Sequence, residues 1–153
     1  MPETLLAQAA PQTVYFDGPV DKANVDYTMK RLKPGDTLVI NSRGGDGSEA
    51  FRLAEFVRQN RINTHVNSTG QVQSSAVMIY AAGVKRTADK NAQFHLHMFK
   101  DKQGGTDSME DTKRYLQTLM RYGVNENLGK LPIIENTMTL DPDMARYVGL
   151  VTD

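Results

Sequence analysis

Thr37-Leu38-Val39-Ile40-Asn41-Ser42-Arg43-Gly44-Gly45-Asp46-Gly47-Ser48-Glu49-Ala50 is the stretch on which the fold turns. It opens with a β-prone run that is apolar at three consecutive positions, Leu38 to Ile40, the pattern of a strand covered on both faces. It then crosses a glycine-rich loop. It ends in a helix, because Asp46 and Glu49 have the spacing of a capping box and Ala50, Leu53, Ala54 and Val57 recur at helical intervals. A buried strand that feeds a helix through a short loop is half of a parallel α/β unit.

The same alternation extends both ways. Upstream, Thr13-Val14-Tyr15-Phe16 reads as a strand closed by Asp17-Gly18-Pro19, and Asp21 caps a helix to about Leu32 with Val25, Met29 and Leu32 on one face. Lys33-Pro34-Gly35-Asp36 is a turn. Downstream, Ile62 to Asn67 is a third strand, Gly70 begins a turn, and Ser75 to Ala82 is a short buried helix ended by Gly83. Lys85 to Ala88 and Gln93 to His97 are further strands, followed by a glycine-containing loop, Lys102-Gln103-Gly104-Gly105. Asp107 with Glu110 is a second capping box, opening a long helix to about Leu128. Asp141 caps a last short helix with Pro142 in its first position. The expectation is an arm over residues 1–12 and one α/β domain over 13–153, its strands mostly parallel.

Composition narrows the function classes. The chain of 153 residues is one ordinary domain with enough length to bury a core. Lys+Arg and Asp+Glu both number 18, so no net charge favours nucleic acid or an anionic membrane as partner. Cys 0 removes a disulfide framework, a Cys-ligated zinc or iron–sulfur site and a cysteine nucleophile. No apolar run approaches a membrane span, and the first ten residues carry neither Lys nor Arg, unlike a signal peptide. The cytoplasm is the expected compartment, and no metal or organic cofactor is expected.

Ligands of open α/β sheets gather where strands end, so three such places matter. At Gly70 to Ser75 a strand passes into a helix. A serine there can present its hydroxyl beside backbone N–H groups that stabilise an oxyanion, or it can simply cap the helix. His95 and His97 lie two apart on a strand, and either could serve a serine as base or be a hydrogen-bonded structural histidine. With His65 they could also form a three-histidine metal site. Gly45-Asp46-Gly47-Ser48-Glu49-Ala50 formally matches a dinucleotide-binding loop. Against that, Asp46 sets a carboxylate where pyrophosphate would lie, and His65-Val66-Asn67 stands where a ribose-binding acid is needed.

With those loops in view the chain resembles the proteolytic subunit of Clp protease and its relatives on the crotonase-like fold. The segments that carry the likeness are Ile40 to Gly45, Gly70 to Ser75, Ala81 to Arg86, Gln93 to His97 and Ala145 to Val151. The resemblance implies a serine endopeptidase with Ser74 as nucleophile, His97 as base, and the backbone N–H groups of Gly45 and Ser75 as oxyanion hole. Its third triad member, an aspartate, falls on Thr137, with Glu135 as the nearby carboxylate. Arg43 replaces the loop's usual proline, Val72 and Gln73 replace two alanines, and Met98-Phe99 replaces Gln-Pro. The resemblance also implies a polypeptide substrate and a homo-oligomeric ring, with the helix from Asp107 interlocking stacked rings. Thr37-Leu38-Val39 lacks the tyrosines that help the family dock its unfolding ATPase, and the arm is short, which argues against a Clp-type ATPase partner. The resemblance extends to short, diverged relatives that occur in bacteriophages, where they process structural proteins. Two other classes remain open: a non-catalytic ring scaffold, and a nucleotide- or coenzyme-binding protein on the same type of fold.

Overall fold

A computed structural model describes residues 10–96, 106–131 and 137–153. Strands β1 (Thr13–Asp17), β2 (Thr37–Asn41), β3 (Asn63–Val66) and β5 (Arg86–Ala88) form one sheet in the order β1-β2-β3-β5, parallel throughout. Strands β4 (Gln71–Gln73), β6 (Gln93–Leu96) and β7 (Met138–Leu140) form a second sheet, in which β4 and β6 run parallel and β6 and β7 antiparallel. Helices α1 (Lys22–Arg31), α2 (Gly47–Gln59), α3 (Ser75–Ala81), α4 (Thr106–Arg121) and α5 (Pro142–Tyr147) alternate with them, and a 3₁₀ turn spans Glu126–Lys130. This is the expected single α/β domain with mostly parallel strands.

The deciding stretch behaves as its pattern requires. Leu38, Val39 and Ile40 are all buried, so both faces of β2 are covered. Ala50, Leu53, Ala54 and Val57 turn one face of α2 to the core. Asp21 caps α1 by accepting the Asn24 N–H, and Asp141 caps α5 through Met144, with Pro142 in the first turn. All seven residues of α3 are buried, and Tyr80 packs edge-on against Phe94 of β6.

Other expectations are corrected. Half of the first capping box is made: Asp46 accepts from Ser48 and Glu49, but the Asp46 N–H goes to the Val20 carbonyl and Glu49 binds Arg52 instead. The turn after Gly70 contains a strand, β4, and Thr137 leads into another, β7. Both are three residues long, too short to show a period. The long helix stops at Arg121 rather than Leu128, because Gly123 takes φ +114° and turns the chain before the 3₁₀ segment. Gly83 is needed for space rather than for a left-handed cap. A Cβ there would clash with the Thr64 hydroxyl, which donates to the Tyr80 carbonyl at the end of α3. Most of the N-terminal arm, the 102–105 loop, the Asp107 side chain, His97 and Glu135 lie outside the described residues.

One buried cation ties the layers together. Arg86, on β5, is only 4% exposed, and its guanidinium donates to the carbonyls of Ala81, Gly83, Tyr122, Gly149 and Leu150. The ends of α3 and α4 and the C-terminal segment therefore converge on one side chain.

Candidate active site

Two backbone segments are brought side by side by an exchange between the sheets. Ser42, just beyond β2, donates its N–H to the Gln71 carbonyl and accepts from the Gln73 N–H, so the glycine loop begins alongside β4. The loop then folds back on the start of the chain: Val20 N–H donates to Gly44 O at 3.0 Å, and Asp46 N–H to Val20 O at 2.9 Å. Gly44 lies against the nucleophile candidate. A Cβ on Gly44 would sit 2.8 Å from Gln73 O and 3.2 Å from the Ser74 Cβ.

Ser74 occupies the junction of β4 and α3 with φ +55° and ψ −124°. That is a conformation L-residues avoid, at a cost of about 1–3 kcal/mol, and it persists only where neighbours over-determine it. Three groups do so. Ser74 N–H donates to the His95 carbonyl at 3.1 Å, and Val77 N–H donates to the Ser74 carbonyl at 3.0 Å. The Tyr115 hydroxyl, from α4, donates to that same carbonyl at 2.8 Å. Although Ser74 holds the N-cap position of α3, its hydroxyl makes no capping bond among the described residues. The simple cap that the sequence allowed is not what this serine does.

Ser75 is fully buried, and its hydroxyl accepts the Gly45 N–H at 3.0 Å. A cleft of about 820 Å³ adjoins it, lined by Phe51, Ser75, Met78, Tyr115 and Thr118 among others. A second hollow of about 310 Å³ is lined by Asn41, Arg43, Gly44 and Gln71. The glycine loop thus borders open space on both sides.

The histidines divide. His65, on β3, contacts Thr87 Oγ1 and Asp89, away from β6 in the other sheet. His97, the third member of the histidine trio, lies outside the described residues, and among those described no group of three potential ligands could hold a metal ion. His95, on β6, is hydrogen-bonded through Nδ1 to Thr139 Oγ1 at 2.9 Å and through Nε2 to Gln93 at 3.2 Å. Burial pushes its pKa down, so the neutral ring is favoured. Both ring nitrogens are engaged, the structural role the sequence held open for it. Strand β6 ends at Leu96, and Thr137 is an exposed residue immediately before β7. In the antiparallel ladder His95 faces Thr139 and Leu96 faces Met138.

The N-terminus of α2 is already filled. The Asp46 carboxylate accepts the Ser48 hydroxyl and the Ser48 and Glu49 N–H groups. Those bonds, the Ser48 hydroxyl first, hold its pKa below the usual carboxylate range. The amides that would greet a pyrophosphate in a dinucleotide fold carry the chain's own anion.

Of the residues singled out in the sequence, Ser74, Ser75 and the Gly44–Gly45 loop adjoin one another, while His97 and Glu135 lie outside the described residues. Sequence reasoning misses Tyr115, which reads in sequence as another aromatic on an amphipathic helix, and it misses the Ser75 hydroxyl. No local pattern could have found either.

The class of protein is thus an α/β domain of alternating strands and helices with a strained serine at a strand-to-helix turn beside a glycine loop. The family model of Clp protease matches residues 32–146, and the chain belongs to the Clp protease family, a family of peptidases. No curated protein matches the chain. Among the described residues no helix is long and apolar enough to cross a membrane.

Proposed function

We propose that the protein is a serine endopeptidase of the Clp type on a crotonase-like fold, acting on extended polypeptide and assembling as a homo-oligomeric ring. The single observation that carries the reading is Ser74, held at φ +55° with an uncapped hydroxyl against the Gly44–Gly45 loop, in a chain of this family. Ser74 Oγ attacks the substrate carbonyl carbon and passes its proton to His97, the residue that follows β6. The carbonyl electron pair moves onto oxygen, which the N–H groups of Gly45 and Ser75 receive. His97 returns the proton to the leaving amine. Water then attacks the acyl-enzyme by the same route in reverse and frees Ser74. No metal or cofactor takes part. A fluorophosphonate probe should label the wild type and leave Ser74→Ala unlabelled, and equal labelling of the two removes Ser74 from the role.

Thr137 favours a second reading, a ring scaffold with little or no activity. The mechanism requires the β6–β7 ladder to run one pair further, His97 against Thr137. A threonine there can orient an imidazole by a hydrogen bond but supplies no charge for the imidazolium. Loss of that carboxylate costs a Ser-His-Asp enzyme about 10⁴-fold in kcat. Thr137→Asp should therefore raise the labelling rate by about tenfold or more. If Thr137→Asp and wild type are both inert, the scaffold reading stands. Glu135 as the acid in place of Thr137 predicts instead that Glu135→Gln lowers the rate and Thr137→Asp does little.

A further inference from the structure

We propose that the Ser75 side chain is a built-in competitor for the oxyanion site, a positioning residue whose hydroxyl occupies the Gly45 N–H until a substrate carbonyl displaces it. The inference rests on the serine-peptidase reading above and deepens it.

Ser75 is 0% exposed and follows the nucleophile directly, so its backbone and side chain serve opposite ends. Its N–H is the second oxyanion donor of the proposed site. Its Oγ accepts the first donor, the Gly45 N–H, at 3.0 Å, an ordinary bond length for a neutral pair. The same Oγ lies 3.4 Å from Gly45 O, longer than an ordinary hydroxyl hydrogen bond. The hydroxyl thus takes up the N–H of a residue 30 positions away and faces its carbonyl.

Gly45 has little freedom to turn its amide elsewhere. Its loop is anchored on both sides, by Val20 N–H to Gly44 O and by Asp46 N–H to Val20 O. Its φ is +153°, and its α-carbon is packed so closely that a Cβ would collide with Val20 O. A donor held in place by its neighbours is preorganised for an incoming oxygen. Gly45 is itself exposed, so without an internal partner this donor would be left to water. The Ser75 hydroxyl satisfies it. A hydroxyl is a neutral acceptor, of about the same strength as a ground-state carbonyl and weaker than an oxyanion. Exchange for a ground-state carbonyl is therefore about even and exchange for an oxyanion is favourable, but either way the resting bond must first be given up. A resting site closed this way is stable without substrate and reluctant to acylate casually.

The consequence has an unusual sign. Removing the hydroxyl leaves the Gly45 donor open, so Ser75→Ala should be labelled by fluorophosphonate faster than wild type. The expected gain is about three- to tenfold, the factor that one neutral hydrogen bond commands. A merely structural role for Ser75 predicts the opposite, a slower rate from a loosened loop. Labelling of wild type with no gain in Ser75→Ala overturns the proposal and leaves the reading of Ser74 intact. Labelling in neither protein overturns the reading of Ser74, and the proposal with it. A measurement on the unsubstituted protein covers the case in which Ser75→Ala fails to fold. In ¹⁵N-glycine-labelled wild type the Gly45 amide resonance must move on phosphonylation, as its acceptor changes from a hydroxyl to a phosphonyl oxygen. A labelled protein whose Gly45 resonance stays in place overturns the proposal.

Discussion

Replacing Arg86 with methionine is expected to destabilise the protein by about 3–5 kcal/mol, the cost of two or three buried carbonyls left without donors at about 1.5 kcal/mol each. The guanidinium reaches five of them: Leu150 O from Nε at 2.7 Å, Ala81, Gly83 and Tyr122 from one terminal nitrogen at 2.9–3.1 Å, and Gly149 from the other at 2.7 Å. Methionine matches much of the volume but donates to none. Water cannot readily replace the lost donors, since the side chain is 4% exposed. Gly123 also crowds the site, where a Cβ would come within 3.2 Å of the guanidinium. Domains of this size are stable by about 5–15 kcal/mol, so the loss is a large share of the whole. Lysine should rescue little, because a point ammonium cannot span acceptors that the planar fork reaches from three nitrogens. Urea unfolding of the wild type, Arg86→Met and Arg86→Lys measures both effects. A loss below about 1 kcal/mol in the methionine variant would mean that the carbonyls find other donors.

Arg86 also marks the limit of what the sequence discloses. The strands and helices that are long and periodic are legible: β2 from three consecutive apolar residues, α2 from the 50-53-54-57 spacing, α1 from Asp21. The second sheet is not. Gln71-Val72-Gln73 and Met138-Thr139-Leu140 are each a single ladder's width, and their pairing partners lie 22 or more residues away. The end of α4 is misplaced because Val124 and Leu128 are both buried and continue the apolar rhythm past Gly123, where only the backbone turns. In the site, the type and position of Ser74 can be read, but its strain cannot. Positive φ at a non-glycine residue is imposed by distant contacts such as Tyr115 O–H to Ser74 O, 41 positions apart. Gly45 is legible as a glycine that must approach something closely. What it approaches at rest, Val20 on one side and the Ser75 hydroxyl on the other, is tertiary information.

That close approach makes Gly45→Ala the sharpest test of the site. The added Cβ would collide with Val20 O and stand 3.1 Å from Val20 N, both backbone atoms that cannot swing aside. At φ +153° the alanine is strained even before contact. The loop must therefore lift away from Val20, breaking the Val20 N–H to Gly44 O and Asp46 N–H to Val20 O bonds and moving the Gly45 amide out of line with Ser74. Loss of one oxyanion donor costs about 10²–10³-fold in kcat, and fluorophosphonate labelling should fall by that order. Gly47→Ala is the matched control. It lies two residues on, at the first position of α2, where an added Cβ meets nothing within 4 Å and φ is not positive, so its labelling should stay within about twofold. A dinucleotide loop predicts a different pair of outcomes, because both glycines would then serve the ligand and both variants would lose it. Labelling of Gly45→Ala at close to the wild-type rate would show that the amide of residue 45 is not an oxyanion donor. The competition proposed for Ser75 would then have no object, and the nucleophile would have to draw its stabilisation from the Ser75 N–H and groups beyond the glycine loop.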